Sequence, residues 1–291
     1  MGKNELTPLE EDELEKNLVW LFGSSRSGTS WLGLELLSYR TNSINELHIT
    51  EHLGSPNVGI LDLTFSRWYD ECKNLRGYFF SDEYKKIWKH YLRKLILNRI
   101  YSQVGDFKKK IILKEPSATS GSDIISECFP NSRIIFLLRD GMDIIDSILD
   151  GRQKNGFMTK ARNTPPITEQ NRFNFIENRA RLWVYLIDNL LKTYENHQEK
   201  FRILIKYEEL LKNTKKTLAI IYEFLEIEIA DEELTDLVTK FSFDKIPQGK
   251  RGLGKFHRSA SPGKWKEHFT EKEKKAMETI MKPTLEKLGY S

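Results

Sequence analysis

The chain has 291 residues, 39% hydrophobic and 30% charged, a composition that excludes a disordered, collagen-like or membrane-spanning chain and is long enough for one large domain. Its 46 basic and 42 acidic residues leave a net charge of +4, too small for a protein that neutralises many nucleic-acid phosphates. Two cysteines, Cys72 and Cys128, have no CxxC or Cys/His spacing, which argues against a zinc site and fits a reducing compartment.

The N-terminal segment MGKNELTPLEEDELEKN is acidic and polar, without the basic and apolar regions of a secretory leader, and no apolar run approaches the roughly 20 residues that cross a bilayer. The expectation is a cytoplasmic protein without a transmembrane segment. Apolar runs predict strands at 18–22, 111–113, 134–138 and 203–205, with helix-period stretches at 30–38, 84–101, 123–129, 142–149 and 171–194. Strands alternating with helices predict an α/β fold, a three-layer sandwich with a central parallel sheet flanked by helices, in a single domain over 1–291. Its chemistry is expected beyond the carboxyl ends of the strands. Two segments break the alternation. Residues 160–172 contain Pro165 and Pro166 and read as a loop. Residues 246–266 hold four glycines, two prolines, six basic residues and no acid, either a solvated loop or a lid that grips an anion.

The first strand runs into Gly23-Ser24-Ser25-Arg26-Ser27-Gly28-Thr29-Ser30 and then into a helix beginning at Trp31. Strand, small-residue loop and helix start, in that order, make a P-loop-like phosphate cradle, because backbone N–H groups converge and the helix dipole favours negative charge. Gly23 and Gly28 keep the G-x-x-x-x-G spacing, but Thr29 stands where a nucleoside triphosphatase has lysine. Arg26 is the loop's cation. The strand at 134–138 ends in Arg139, with Ser147 eight residues on; Asp140 reads as a helix cap.

These elements resemble the sulfotransferases that use 3'-phosphoadenosine 5'-phosphosulfate. The resemblance implies that Arg26, Ser27, Gly28, Thr29 and Ser30 hold the 5'-phosphosulfate. Arg139 and Ser147 match the 3'-phosphate motif R-[DN]-P-x-D-x-x-x-S, with Gly141 in place of its proline. Tyr207, in a segment similar to the family's Y-E-D-L, would lie near the adenine. Phe243 would stack on the purine. Arg258, Gly263 and Trp265 match the closing R-K-G-x-x-G-x-W-K element, while Ser259 and Ala260 replace its Lys-Gly.

Sulfuryl transfer to an alcohol needs a base for the hydroxyl proton and cations for the leaving oxygen. The resemblance to bacterial, tyrosylprotein and heparan-type members makes Glu46 the first choice of base. His48, two residues on, shares its side if the stretch is extended; Glu51 and His52 stand behind them. Lys114, in Lys114-Glu115-Pro116, resembles the lysine of K-[DTS]-P. Cytosolic small-molecule members carry histidine as base where Pro116 stands here. The implied activity is transfer to a hydroxyl-bearing acceptor (carbohydrate, lipid, natural product or peptide) without a metal or nucleic acid. A nucleotide-dependent kinase and a non-catalytic nucleotide-binding module are the alternatives. Trp68, Tyr69, Tyr78, Phe79, Phe80 and Trp88 line either an acceptor site or the core. His90 is expected to line the core or the acceptor site, and His197, His257 and His268 are expected at the surface.

Overall fold

The computed structural model describes residues 5–47, 81–105, 108–116, 121–162 and 164–290. Its sheet is built from β1 (Leu18–Phe22), β2 (Asn42–Asn45), β3 (Ile111–Lys114), β4 (Arg133–Leu138) and β5 (Arg202–Lys206), in the order β2-β3-β1-β4-β5. The parallel registers set Leu18 beside Ile111, Val19 beside Arg133 and Asn42 beside Ile111. β1, β3 and β4 are buried along their whole length, as strands covered on both faces must be. The predicted α/β class is therefore found. From β1 the chain builds β2 and β3 on one side and then crosses to β4 on the other, so the loop after β1 starts at a topological switch point.

The chain gathers into two compact units, the first formed by residues 1–23, 32–136 and 189–204 and the second by 24–31, 137–188 and 205–291. The first holds α1 (Pro8–Asn17), α2 (Trp31–Leu36, nearly all of it), α3 (Lys85–Val104) and α4 (Ser122–Cys128). The helix α1 begins at a capping box, with the Thr7 side chain accepting from the Glu10 N–H and Glu10 reaching back to the Thr7 N–H. In the core Trp20 packs on Phe129 at 5.4 Å and Phe22 on Phe136 at 6.1 Å between ring centres. Glu15, almost fully buried, accepts from Arg93 at 2.5 Å and from the Asn131 N–H at 2.7 Å, so its charge is paired. His197 corrects the sequence reading. It is buried, its Nδ1 on the Ser126 hydroxyl at 2.8 Å and its Nε2 on the Ser132 carbonyl at 2.9 Å. His90 does not line the core, lying exposed on α3 with its ring edge-to-face with that of Tyr91.

The second unit holds α5 (Gly141–Gly151), α6 (Phe157–Arg162), most of α7 (Glu169–Asn196), α8 (Tyr207–Lys212), α9 (Thr214–Phe224), α10 (Asp231–Lys240), α11 (Trp265–His268) and α12 (Glu271–Lys287). α6 and α7 enter the expected 160–172 loop from both ends and leave only a short connection. Every residue of α5 is buried. Gly141 opens it because a Cβ there would lie 2.2 Å from the Met281 methyl and 2.6 Å from the Trp183 ring, which leaves no room for the motif's proline. Gly141→Ala is expected to destabilise the protein by about 1–3 kcal/mol through overpacking, read as a lower midpoint in urea unfolding.

Candidate functional site

In the second unit, the loop after β1 turns through two left-handed residues, Arg26 (φ 73°) and Gly28 (φ 98°), with the Ser27 N–H on the Ser24 carbonyl at 3.1 Å. Left-handed residues within such a turn converge backbone N–H groups into an anion-binding concavity. Only glycine fits at 28, since a Cβ would stand 2.6 Å from the Tyr207 ring. Ser27 and Thr29 are buried, and Ser30 is half-buried. The hydroxyls of Ser24 and Ser27 are buried with no hydrogen-bond partner.

Arg139, at the end of β4, donates from Nη1 to the Arg26 carbonyl at 2.9 Å, and its guanidinium lies 4.5 Å from the Tyr207 ring centre. Its Nε is buried and has no partner. Arg26 donates from Nε to the Ser147 hydroxyl at 3.1 Å and from Nη2 to the Phe256 carbonyl at 2.6 Å. Its guanidinium packs beside the edge-to-face pair Phe157 and Phe256, 4.8 Å from each ring centre. Burial, and then Arg139 nearby, push its pKa down to about 10. Sequence spacing paired Ser147 with Arg139, whereas the structure puts its hydroxyl on Arg26. Tyr207 opens α8, buried, with its ring edge on Trp31 at 6.3 Å, and burial raises its pKa. Phe243 packs against Arg251, whose guanidinium is 5.5 Å from its ring. Arg258 binds the Asp146 carboxylate.

In the first unit, Lys114 closes β3 and is 2% exposed. Its ammonium pairs with the Glu46 carboxylate, 68 residues away in sequence, and its carbonyl accepts the Glu46 N–H at 2.9 Å. Glu46 follows β2 with a left-handed backbone (φ 46°). Glu115, also buried, donates its N–H to the Leu21 carbonyl at 3.1 Å and accepts the Leu47 N–H on its carboxylate. The structure thus joins two of the three expected catalytic residues as an ion pair and adds Glu115, which the sequence reading had left aside. His48, Glu51, His52, Cys72 and the aromatic group from Trp68 to Phe80 lie outside the described residues.

The family model described as "Sulfotransferase domain" matches residues 16–289. The chain belongs to the sulfotransferase domain family. Among solved structures, it is similar to mouse sulfotransferase SULT7A1 complexed with PAP, at 18% identity and TM-score 0.54, over 93% of this chain and 85% of that one. Retinol dehydratase in complex with androsterone and inactive cofactor PAP is similar at 17% identity and TM-score 0.54, over 93% and 81%. Sulfotransferase STF9 from Mycobacterium avium is similar at 14% identity and TM-score 0.55, over 93% and 76%. At these identities the likeness is one of fold. A search of curated proteins finds no match.

Two carboxylates of this sulfotransferase, Asp146 and Asp150, escaped the motif reading although their spacing from Asp143, the second acid of the 3'-phosphate motif, is plain in the sequence. Asp143, Asp146 and Asp150 fall on one face of α5, at intervals of three and four residues. Asp143 accepts the Gly263 N–H and Asp150 the Gly254 N–H, both at 2.8 Å, and Asp146 takes Arg258 together with His268 Nδ1 at 3.0 Å. His268 lies at the surface as expected, with its Nδ1 on the Asp146 carboxylate. Among the described residues, no group of three or more His, Cys, Asp or Glu is suited to hold a metal, and no helix is long and apolar enough to cross a membrane.

Asp140 caps α5 as the sequence predicts, accepting the Met142 N–H at 2.8 Å, while its own N–H donates to Glu208 at 3.0 Å. The other Glu208 oxygen accepts from the Tyr290 hydroxyl at 2.9 Å. Burial first, then the carboxylates of Asp143 and Glu208, push the Asp140 pKa up to about 6 against the opposing Met142 N–H bond. The folded state therefore holds this proton more tightly than the unfolded chain. The stability that comes from this group is full below about pH 4 and is lost as pH rises through about 6. Asp140→Asn keeps the cap oxygen and removes the buried charge. The variant is expected to exceed the parent by about 1–3 kcal/mol at pH 7 and to match it near pH 4 in urea unfolding across that range.

Proposed function

We propose that this sulfotransferase moves a sulfuryl group from 3'-phosphoadenosine 5'-phosphosulfate to a hydroxyl of an acceptor, working as a single domain over 1–291. The observation that carries the reading is the meeting of Arg26, Arg139 and Ser147 beside a left-handed loop whose Ser24 and Ser27 hydroxyls, like Arg139 Nε, are buried without partners. Buried polar groups of this kind are normally satisfied, and the oxygens of an anionic ligand satisfy them. When bound, the donor supplies a sulfuryl group on a phosphate leaving group. Arg26 and residues 27–30 hold its phosphosulfate end through side-chain charge, backbone N–H groups and hydroxyls. Arg139, Ser147 and Arg258 hold its 3'-phosphate, and Tyr207 and Phe243 cover its purine.

Glu46 accepts the acceptor's proton on its carboxylate, with His48 as the second choice. Lys114 places the Glu46 carboxylate and contributes positive charge for the leaving oxygen. A carboxylate base with Pro116 in the third motif position aligns the chain with bacterial, tyrosylprotein and heparan-type members. Acceptors are alcohols of carbohydrate, lipid, natural-product or peptide origin, the reaction needs no metal, and the protein works in the cytoplasm. Calorimetric titration with the desulfated nucleotide, with and without magnesium, tests the donor site. Binding at micromolar concentration in both conditions is expected, and its absence removes the reading. Radiolabelled donor offered with a panel of alcohols then identifies the acceptor.

A further inference from the structure

The glycine-rich segment 246–266 contains no acid of its own, so its six cations have no neutralising partner within it. Apart from the exposed Asp244, which pairs with Arg251 at 3.4 Å, the acids that meet it stand on α5. Asp150, Asp146 and Asp143 engage Gly254, Arg258 and Gly263 respectively, so the helix runs antiparallel to the segment and fixes it at three points. Both glycines are left-handed, at φ 69° and 85°. Their N–H groups are presented to the carboxylates by backbone turns open chiefly to glycine. Asp146 and Arg258 are both nearly buried, with side chains 7% and 9% exposed, so each is the other's main counter-charge. Phe157, at the start of α6, adds a backbone N–H bond to the Gly254 carbonyl at 2.9 Å.

We infer that Asp143, Asp146 and Asp150 are positioning residues for the donor: they set the path of the 246–266 segment and the direction of the Arg258 guanidinium, and through these they govern nucleotide affinity without touching the nucleotide. The inference rests on the donor assignment proposed above. It gives each acid a distinct duty. Asp143 and Asp150 act as hydrogen-bond acceptors, for which an amide oxygen suffices. Asp146 acts as a charge, for which it does not.

The test compares alanine and asparagine at each position by two measurements on the full chain. The first is tryptic cleavage within 246–266 in the absence of nucleotide, and the second is calorimetric affinity for the desulfated nucleotide. Asp143→Ala and Asp150→Ala are expected to speed cleavage and weaken affinity by ~10-fold or more, the scale of a lost hydrogen bond to a charged group, while the asparagine variants stay within ~3-fold of the parent. Asp146→Ala and Asp146→Asn should both lose ~10–100-fold in affinity, with kcat at saturating donor changed far less than KM. Loss of folding alone would not spare the asparagine variants at 143 and 150 while penalising the one at 146. The inference is overturned if Asp146→Asn binds within twofold of the parent, or if alanine at 143 and 150 leaves cleavage unchanged. If the parent itself fails to bind the desulfated nucleotide, the donor assignment fails, and with it the affinity part of the inference; the cleavage arm still decides whether the carboxylates hold the segment.

Discussion

Replacing Glu46 by glutamine is expected to lower sulfuryl transfer by ~10²–10⁴-fold, the range for loss of a general base, while affinity for the desulfated nucleotide stays within a few-fold. The separation follows from the roles. Glu46 pairs with Lys114, whereas the donor is assigned to the loop 24–31, Arg139 and the 246–266 segment. Glutamine preserves the N–H bond to the Lys114 carbonyl and an oxygen toward its ammonium, so the backbone after β2 is kept and only the proton-accepting charge is lost. Lys114→Ala is the harsher change. It removes the buried cation against which the carboxylate is set, and transfer should fall at least as far, with a loss of stability as well. Single-turnover assays with labelled donor, paired with calorimetry on each variant, check both. A Glu46→Gln enzyme that turns over at the parental rate would move the base assignment to His48.

Arg139→Ala is expected to weaken nucleotide binding by ~10²-fold or more. A forked guanidinium bond to phosphate involves two charge-assisted hydrogen bonds, each worth roughly 1.5–3 kcal/mol. The same side chain also holds the Arg26 carbonyl and covers the Tyr207 ring, so its loss disturbs the loop as well as the ligand contact. Arg139→Lys should recover little, because an ammonium lacks the planar fork that donates to the Arg26 carbonyl while Nε faces elsewhere. Titrations of both variants over a salt series measure the loss directly. Binding within threefold of the parent in Arg139→Ala would remove this residue from the anion site.

The loop after β1 and the strand ending at Arg139 were legible because their signals are local: a five-residue apolar run, then small residues, then a helix start. β2 was not. Its sequence, Asn-Ser-Ile-Asn, has no strand pattern, and its extended form comes from pairing with β3, a long-range effect. The same limit explains Glu46 and Lys114. The resemblance names each separately, but their ion pair joins β3 to the end of β2, whose neighbourhood no short window reveals. His197 illustrates the reverse error, a polar residue taken for surface because its partners, Ser126 and the Ser132 carbonyl, lie on other elements. The acid-free character of 246–266 was seen, and so was the charge it lacked; that the missing acids would come from α5 required the tertiary structure.

The buried α5 also acts as a ruler. From Asp143 to Asp150 it measures about 10 Å along its axis, while the chain from Gly254 to Gly263 would span roughly 30 Å if stretched, so the segment carries slack and the helix carries none. One residue inserted in the segment between those glycines adds slack to a loop that already has it. One residue inserted within α5 would rotate everything beyond it by about 100° and take at least one carboxylate, or Ser147, off the common face. Length variation is therefore expected to be tolerated in the segment and refused in the helix, an asymmetry that sets where this chain can take up insertions without losing its donor site.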